Sequence, residues 1–299
     1  MNIEFATRRQ RRQLFSVFGT GESIAAAILL SVLCHLSTVF QSPFYYFRVK
    51  FQTNSMKVLV CVSKTPDTTT KITFTDGNSK VNYDGVKFIV NPYDEHALAK
   101  AMELKEKQGA EITVINVGKA DADPIIRKCF AVGADKAIRI DLEPESGMQV
   151  AQAIVEVVKD QGFDVILTGR ESIDYNGGMV GELIGEMLDI PSVGYCGKLD
   201  VDGSSASMSR FIDGGEESLT AELPVVVSAV KELGEPRIPN MRGIMQARTK
   251  PIEVVSGNAA ADVSIGSYEA PAQKGGCVYI DADTPEKLIE ILHNEKKLF

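Results

Sequence analysis

Histidine is scarce in this chain of 299 residues, and its scarcity excludes several kinds of active site. The three histidines, His35, His96 and His293, stand far apart in the sequence. No two of them have the spacing of metal ligands, and a serine–histidine–aspartate triad is not expected. We interpret His96 as a helix-surface residue rather than as a catalytic base.

Three signatures of nucleotide and hydrolase chemistry are also missing. The chain has no G-x-G-x-x-G, no Walker-type G-K-[ST] and no G-x-S-x-G nucleophile elbow. Their absence argues against ATP hydrolysis by a P-loop and against an esterase-type nucleophile. No pair of carboxylates stands out as catalytic from its spacing either.

Cysteine pairs and a basic excess are lacking as well. The five cysteines are scattered without any C-x-x-C, which predicts neither a disulfide framework nor a zinc site and fits a reducing compartment. Lys and Arg number 32 against 40 Asp and Glu, a formal charge of −8. This balance argues against a nucleic-acid-binding protein and against a polybasic membrane-surface protein.

The first 55 residues differ in character from the rest. A basic cluster at 8–12 precedes an apolar stretch at 24–40, which resembles a signal or anchor segment but is only about 17 residues long. Met56 then opens a regular β-strand. We expect Met56 to be the true start and residues 1–55 to be a misassigned or disordered extension. A targeting segment or a membrane anchor is the alternative.

From Met56 onward, short β-branched runs alternate with amphipathic stretches. Strands are predicted at 57–62, 111–117, 136–140, 165–168 and 225–230, and helices at 95–108, 123–132, 150–159 and 178–188. This alternation predicts an α/β fold with a doubly wound, mostly parallel sheet.

Two hairpins and a loosely patterned tail interrupt the alternation. Residues 71–74 and 86–89 are predicted to form a hairpin-like excursion, and 208–212 with 218–223 a second hairpin. Asp94 is expected to cap the helix that begins at Glu95. After about Glu232 the chain is rich in turns, with a short final helix at 285–294. Such a tail is disordered or lies on a partner.

The segment Thr168–Gly181 is the strongest candidate for a ligand site. It reads TGRESIDYNGGMVG, follows a predicted strand and opens a predicted helix. Glycines permit close backbone approach, and amides at a helix N-terminus attract anions, so the segment is typical of nucleotide or phosphate binding. A plain strand-to-helix turn is the alternative. For the second candidate, Val90–Glu95, a proline turn with a helix cap is favoured on spacing alone.

Several blocks in order resemble the electron transfer flavoprotein beta subunit family. They are VLVCVSKTPD, VNPYDEHALAKAMELKEKQGAEITVINVG, AVGADKAIRI, DVILTGRESIDYNGGMVG, FIDGGEESLTAELPVVVS and ELGEPRIPNMRGIMQARTKPIEV, which cover nearly all of residues 57–255. The resemblance implies an adenine-nucleotide-α-hydrolase-like sheet over 56–255 and a C-terminal arm, 256–299, that wraps an alpha subunit.

The resemblance also implies a function without catalytic residues of its own. Such a subunit is an electron carrier in a heterodimer, expected in the bacterial cytoplasm. The alpha subunit holds most of the FAD, and the beta subunit holds AMP or, in bifurcating members, a second FAD. Electrons come from acyl-CoA and other dehydrogenases and pass to a quinone oxidoreductase.

Carried over by position, the resemblance assigns a set of residues to cofactor binding. They are Cys61, Asn91, Val117, Ser172, Tyr175, Asn176, Gly177, Gly178, Met179 and Val180, with Tyr93 near the flavin held by the alpha subunit. Glu235, Pro236, Arg237 and Met241 match the loop that recognises dehydrogenases.

The chain departs from the family in its nucleotide segment. Gly177 stands in place of a phosphate-binding Thr, and Met179 in place of a Gln, so backbone amides and Asn176 are the obvious phosphate donors left. The motif therefore does not support bifurcation. Gly234 replaces an Asn before the recognition loop, and Phe211 replaces an interface Glu. A stand-alone adenine-nucleotide-binding module of similar sheet order is the alternative function.

Overall fold

A short apolar strand lies in the interior of the main sheet. In the computed structural model, which describes residues 55–261, 263–270, 272 and 275–299, the strand Lys57–Cys61 has four buried residues out of five. Val58 and Val60 join the hydrophobic core on one face, and Leu59 and Cys61 join the core on the other. A strand covered on both faces carries apolar residues at every position, which is why the sequence KVLVC does not alternate.

The described part of the chain contains thirteen strands and six α-helices. The strands are β1 (Lys57–Cys61), β2 (Lys64–Pro66), β3 (Thr73–Thr75), β4 (Lys80–Asn82), β5 (Phe88–Val90), β6 (Glu111–Val117), β7 (Lys136–Asp141), β8 (Val165–Gly169), β9 (Ser192–Asp202), β10 (Ser205–Ile212), β11 (Gly215–Glu222), β12 (Val225–Ala229) and β13 (Glu253–Ser256). The helices are α1 (Pro92–Gln108), α2 (Asp123–Val132), α3 (Gly147–Val158), α4 (Val180–Leu188), α5 (Met241–Ala247) and α6 (Glu286–Glu290), the last followed by one π-helical turn, Ile291–Glu295.

Nine of these strands form one sheet in the order β11-β10-β9-β12-β8-β1-β6-β7-β13. All neighbours are parallel except β10, which runs antiparallel to both β9 and β11. Residues of α1 and α2 belong to the core on one face, and residues of α3 and α4 to the core on the other. The predicted doubly wound, mostly parallel α/β sheet is therefore confirmed.

The excursion between β1 and α1 is paired differently from the prediction. Instead of one hairpin between 71–74 and 86–89, β3 pairs with β4 across the turn at Asp76–Asn78, and β5 pairs with β2. Asp76, Gly77 and Asn78 all have positive φ, which suits a tight turn between adjacent strands. The turn residues were correctly located, but the partner strand of 86–89 precedes the hairpin rather than forming part of it.

Several element boundaries also differ. The helix α3 begins three residues earlier than predicted, because the Ser146 hydroxyl accepts a hydrogen bond from the Gln149 amide at 3.1 Å. β9, α5 and β13 were not predicted. β9 contains Gly194 and Gly197, and glycine is unusual within a strand. β13 is a strand because it pairs with β7 at the sheet edge. The predicted hairpin around Asp213–Gly215 is confirmed as β10 and β11.

The chain beyond β13 makes a few specific contacts with the sheet domain. The Gln149 side chain donates to the Ala259 carbonyl at 2.9 Å. The Tyr268 amide donates to the Asn78 carbonyl at 2.7 Å, and its ring stacks on Phe74 with centroids 5.4 Å apart. Residues 1–54, on which both interpretations of the opening segment depend, lie outside the described residues.

Candidate functional site

The candidate site lies where the chain changes direction across the sheet. From β1 the chain adds β6 and β7 on one side, and then crosses to place β8 on the other side of β1. In open parallel sheets this reversal opens a crevice outside the carboxyl ends of the strands, where ligands bind. The residues that follow β1 and β8 therefore form the candidate site.

Asn91 joins three segments at this crevice. Its amide N–H donates to the Ser63 carbonyl at 3.1 Å, just after β1. Its side-chain Nδ2 donates to the Glu171 carbonyl at 2.8 Å, and its Oδ1 accepts from the Ile173 amide at 3.3 Å. Asn91 is only 1% exposed, so these bonds are buried and fix the loop after β8 to the start of α1.

Asp94 has a different role from the predicted helix cap. The helix begins at Pro92, and the carboxylate of Asp94 accepts from the Ser63 amide at 2.7 Å, the Gly169 amide at 3.1 Å and the Asn91 Nδ2 at 2.9 Å. Proline fits the first helical turn because its missing N–H would be unsatisfied there in any case. The short acidic side chain thus connects the ends of β1 and β8 instead of the helix terminus.

Burial determines the protonation chemistry of Asp94. The side chain is 4% exposed, and this burial raises its pKa to about 7, against the lowering effect of the hydrogen bonds from Asn91, Ser63 and Gly169. Gly169 is required for the arrangement, since a Cβ there would lie 2.2 Å from Asp94 Oδ1.

The loop between β8 and α4 is closed by its own hydrogen bonds. The Ser172 amide donates to the Gly177 carbonyl at 2.9 Å, and the Ser172 hydroxyl donates to Asp174 Oδ1 at 2.5 Å. The Tyr175 amide donates to the same carboxylate oxygen at 3.1 Å, and Asn176 takes a left-handed φ of 54°. The serine hydroxyl and this amide are therefore engaged within the loop itself.

Two glycines let the loop fold tightly. A Cβ on Gly177 would lie 2.0 Å from the ring of Tyr175, and one on Gly178 would lie 2.9 Å from the Arg170 carbonyl. Tyr175 and Met179 are 56% and 54% exposed. The loop thus presents an aromatic ring and a thioether to its surroundings, which are surfaces suited to a planar ring system.

Helix α4 starts at Val180, two residues later than predicted. Met179 is its N-cap and makes no side-chain capping bond, while Gly178 lies outside the helix. Val180, the first residue of α4, packs against the hydrophobic core that α3 and α4 cover. The predicted order of strand, glycine turn and helix is present, displaced by two residues at the helix end.

Cys61 and Val117 lie at the ends of the neighbouring strands β1 and β6. Cys61 is 7% exposed, and burial raises the pKa of its thiol, so it is a neutral, small side chain rather than a nucleophile. Beside them Asn116, 2% exposed, donates to the Val62 carbonyl at 2.8 Å. The sequence analysis did not single out Asn116. A polar residue within the apolar run EITVINV is the sequence feature that could have indicated it.

Arg170 forms an aromatic cluster that the sequence did not suggest. Its guanidinium lies 4.9 Å from the ring centroid of Tyr93 and 5.3 Å from that of Tyr195, and it pairs with Glu171 at 3.0 Å. Tyr195 has a left-handed φ of 56° in β9 and is 50% exposed. Such a backbone conformation costs roughly 1 kcal/mol in a non-glycine residue. Nothing local in the sequence places Tyr195 beside Arg170, because β9 reaches it only through sheet pairing.

Comparison with known proteins gives one consistent match. A family model described as the electron transfer flavoprotein domain matches residues 80–260. A relative named electron transfer flavoprotein subunit beta, from Bacillus subtilis (strain 168), is 39% identical over 202 residues, 66% of this chain and 78% of that protein. The chain belongs to the electron transfer flavoprotein beta subunit family.

Two further relatives of the electron transfer flavoprotein family cover longer alignments. The subunit beta of Syntrophomonas wolfei is 36% identical over 251 residues, 82% of this chain and 98% of that protein. The subunit beta of Homo sapiens is 32% identical over 249 residues, 79% of this chain and 98% of that protein. The predicted family is confirmed, and with it a role in electron transport as part of a flavoprotein.

The residues that the resemblance matches to a recognition loop lie between β12 and the start of α5. Glu235, Pro236 and Arg237 precede α5, which begins at Met241. Met241 is 74% exposed, and Ile238, which the prediction did not single out, is 95% exposed. Among the described residues, no helix combines the length and apolar character needed to cross a bilayer.

Proposed function

We propose that this chain is the beta subunit of a heterodimeric electron transfer flavoprotein. The alpha subunit holds most of the FAD, and this chain completes one side of that site and binds AMP or a second FAD in its own crevice. The dimer accepts electrons from acyl-CoA and other dehydrogenases and delivers them to a quinone oxidoreductase. The flavin supplies the redox chemistry, and the protein supplies binding and orientation.

The observation that carries the proposal is the arrangement of residues at the carboxyl ends of β1 and β8. Asn91 and Asp94 fix the strand ends, and the loop at 170–179 offers Tyr175, Met179 and closely packed glycines. These features fit a nucleotide held by backbone contacts and ring surfaces rather than by a charged clamp. Arg170, the cation at the start of this loop, is already paired with Glu171.

The cluster of Tyr93, Arg170 and Tyr195 supports the shared flavin site. It offers two rings and a guanidinium at the carboxyl end of the sheet, with Tyr195 half exposed. A planar conjugated ring supplied by a partner matches this surface by stacking and by cation–π attraction. No catalytic residue is assigned to the chain in this proposal.

We also propose that residues 256–299 form an arm on the alpha subunit. Val278 and Tyr279 are 81% and 92% exposed, and the C-terminal Phe299 is 70% exposed. Exposed apolar side chains over such a length are typical of a surface covered in a complex. We expect the complex in the bacterial cytoplasm.

Co-expression with the alpha subunit encoded in the same genome tests the proposal. The expected result is a yellow one-to-one complex whose extracted nucleotides are FAD with AMP, or two FAD per dimer. The second outcome permits bifurcation, and the first indicates a plain carrier. A colourless chain that stays monomeric and binds ATP alone refutes the proposal and favours the stand-alone nucleotide-binding module.

A further inference from the structure

The segment Gly234–Met245, here termed the docking segment, exposes large apolar side chains on a firmly held backbone. Ile238, Met241 and Met245 are 95%, 74% and 67% exposed. Exposed apolar residues on one short segment mark a surface that a partner covers. The unexpected feature is how completely helix α1 fixes the base of this segment.

Gly234 packs directly against the backbone of α1. A Cβ at this position would lie 2.9 Å from the Lys100 amide nitrogen and 3.0 Å from the His96 carbonyl oxygen. The Gly234 carbonyl lies 2.7 Å from His96 Nδ1, and the preceding Leu233 is 3% exposed. The absence of a side chain here, where the family pattern has Asn, lets the segment start in contact with the helix.

A second contact with α1 lies further along the helix. Both terminal nitrogens of Arg237 bind the carboxylate of Glu106, with Nη2 at 2.9 Å from Oε2 and Nη1 on Oε1. This pairing holds the pKa of Glu106 below its usual range through the hydrogen bonds from Arg237. A two-point guanidinium–carboxylate pair fixes direction as well as distance, which a single contact does not.

The other end of the docking segment is fixed to α2. The Asn240 side chain caps α5 by accepting from the Gly243 amide at 2.8 Å. A Cβ on Gly243 would lie 2.3 Å from the Ala131 carbonyl oxygen. The exposed residues Ile238 and Met241 therefore project from a backbone restrained before and after them.

We propose that Glu106 is a positioning residue for electron transfer, which it serves by holding Arg237 and so presetting the docking segment for an apolar pocket on a donor dehydrogenase. The inference rests on the proposed function. A segment already in its bound shape loses less conformational entropy when it binds, so the contact to Glu106 strengthens the encounter without touching the flavin. Glu106 acts through Arg237 and contacts neither cofactor nor donor.

The test uses the complete alpha–beta complex with its flavin. Glu106→Gln keeps the size of the side chain but removes the charge that pairs with Arg237. Glu111→Gln is the matched control, because Glu111 pairs with Lys136 at 2.6 Å, away from the docking segment. Met241→Ala removes an exposed apolar side chain of the segment itself. The assay is steady-state electron transfer from a reduced acyl-CoA dehydrogenase, with the complex as the varied substrate.

We expect Glu106→Gln to raise KM by about three- to tenfold with kcat within about twofold of the wild type. Flavin content and the absorption spectrum should not change, and Glu111→Gln should match the wild type. The reversed pair, Glu106→Arg with Arg237→Glu, should recover part of the lost KM. A purely structural role predicts parallel losses of flavin and kcat instead, and that result overturns the proposal.

Met241→Ala tests the docking segment independently of its contact with Glu106. If Met241→Ala raises KM while Glu106→Gln does not, the docking segment functions without its contact to Glu106, and the inference is wrong. If neither variant alters KM in a complex with full flavin content, the segment does not meet the dehydrogenase. That outcome rejects the inference alone, because the dehydrogenase still delivers electrons to the complex. Failure of the proposed function would instead appear as no electron transfer from the dehydrogenase to the wild-type complex.

Discussion

The buried carboxyl of Asp94 allows a prediction about pH that can be worked out from the structure. We consider Asp94→Asn, which keeps the shape of the side chain. The amide oxygen can replace Oδ1, which accepts from Gly169 and Asn91, but the amide nitrogen then faces the Ser63 N–H that Oδ2 accepts. Two donors facing each other in a buried site cost about 1–3 kcal/mol of stability.

The ionisation of Asp94 has the opposite effect, because it lowers the stability of the wild type relative to Asp94→Asn. Burial raises the pKa of Asp94 from 3.8 to about 7 in the folded protein. Between these values the unfolded chain releases the proton while the folded protein keeps it, so the wild type loses stability as pH rises. The full difference corresponds to roughly 4 kcal/mol, of which about 2.5 kcal/mol falls between pH 5 and pH 8. Asp94→Asn has no such dependence.

The two terms predict that the stability difference between the proteins changes with pH. Near pH 5 the wild type and Asp94→Asn should be close in stability, and by pH 8 the variant should be the more stable by about 1–3 kcal/mol. Urea unfolding followed by circular dichroism measures the difference, since the chain has no tryptophan to report by fluorescence. A constant difference from pH 5 to pH 8, or one that favours the wild type more as pH rises, refutes the reasoning.

Asp67→Asn provides a control with the opposite sign. The Thr69 amide and hydroxyl hold the pKa of Asp67 below its usual value. The stabilisation that ionised Asp67 gives to the folded protein is therefore complete above the unfolded-state pKa. It is lost only as pH falls through the lower folded-state pKa. The difference between Asp67→Asn and the wild type should stay flat from pH 5 to pH 8.

Three further outcomes are expected. Gly169→Ala should lower the free energy of unfolding by about 1–3 kcal/mol, because its Cβ meets Asp94 Oδ1 at 2.2 Å; an unchanged urea midpoint contradicts this. Ser146→Ala should cost about 1 kcal/mol through loss of the cap on the Gln149 amide, whereas Ser146→Asp, which can also cap, should restore most of it in the same assay. Removing bound nucleotide from the complex should speed hydrogen exchange in the loop at 170–179, with exchange in β1 unchanged as the internal reference.

The fold could be predicted from the sequence where periodicity carries the signal. Buried strands such as KVLVC and EITVINV, and helices with clear caps or apolar faces, were correctly located. β9 and β13 were not, because pairing with distant strands rather than local pattern makes them strands. The partner of residues 88–90 was missed for the same reason: β2 is three residues long and has no periodicity of its own.

The candidate site was predicted only in part. The glycine-rich loop and Asn91 can be recognised in the local sequence, but the hydrogen-bonding role of Asp94 cannot. A short acid before a helix usually caps it, and only the tertiary structure brings the Ser63 and Gly169 amides to its carboxylate. Arg170 and Tyr195 are 25 positions apart and meet through β9, so no sequence spacing encodes their contact.

Helix α1 contacts both regions that we assign to function. Its first turn carries Tyr93 and Asp94, and its 17 residues span roughly 25 Å, with His96 and Glu106 holding the docking segment along that length. The number of helical residues therefore sets the distance between the crevice and the Arg237 contact of the docking segment. A single-residue insertion between His96 and Glu106 turns the helix beyond it by about 100° and points Glu106 away from Arg237. We therefore expect relatives that dock partners of the same shape to keep the number of helical residues between the positions of His96 and Glu106.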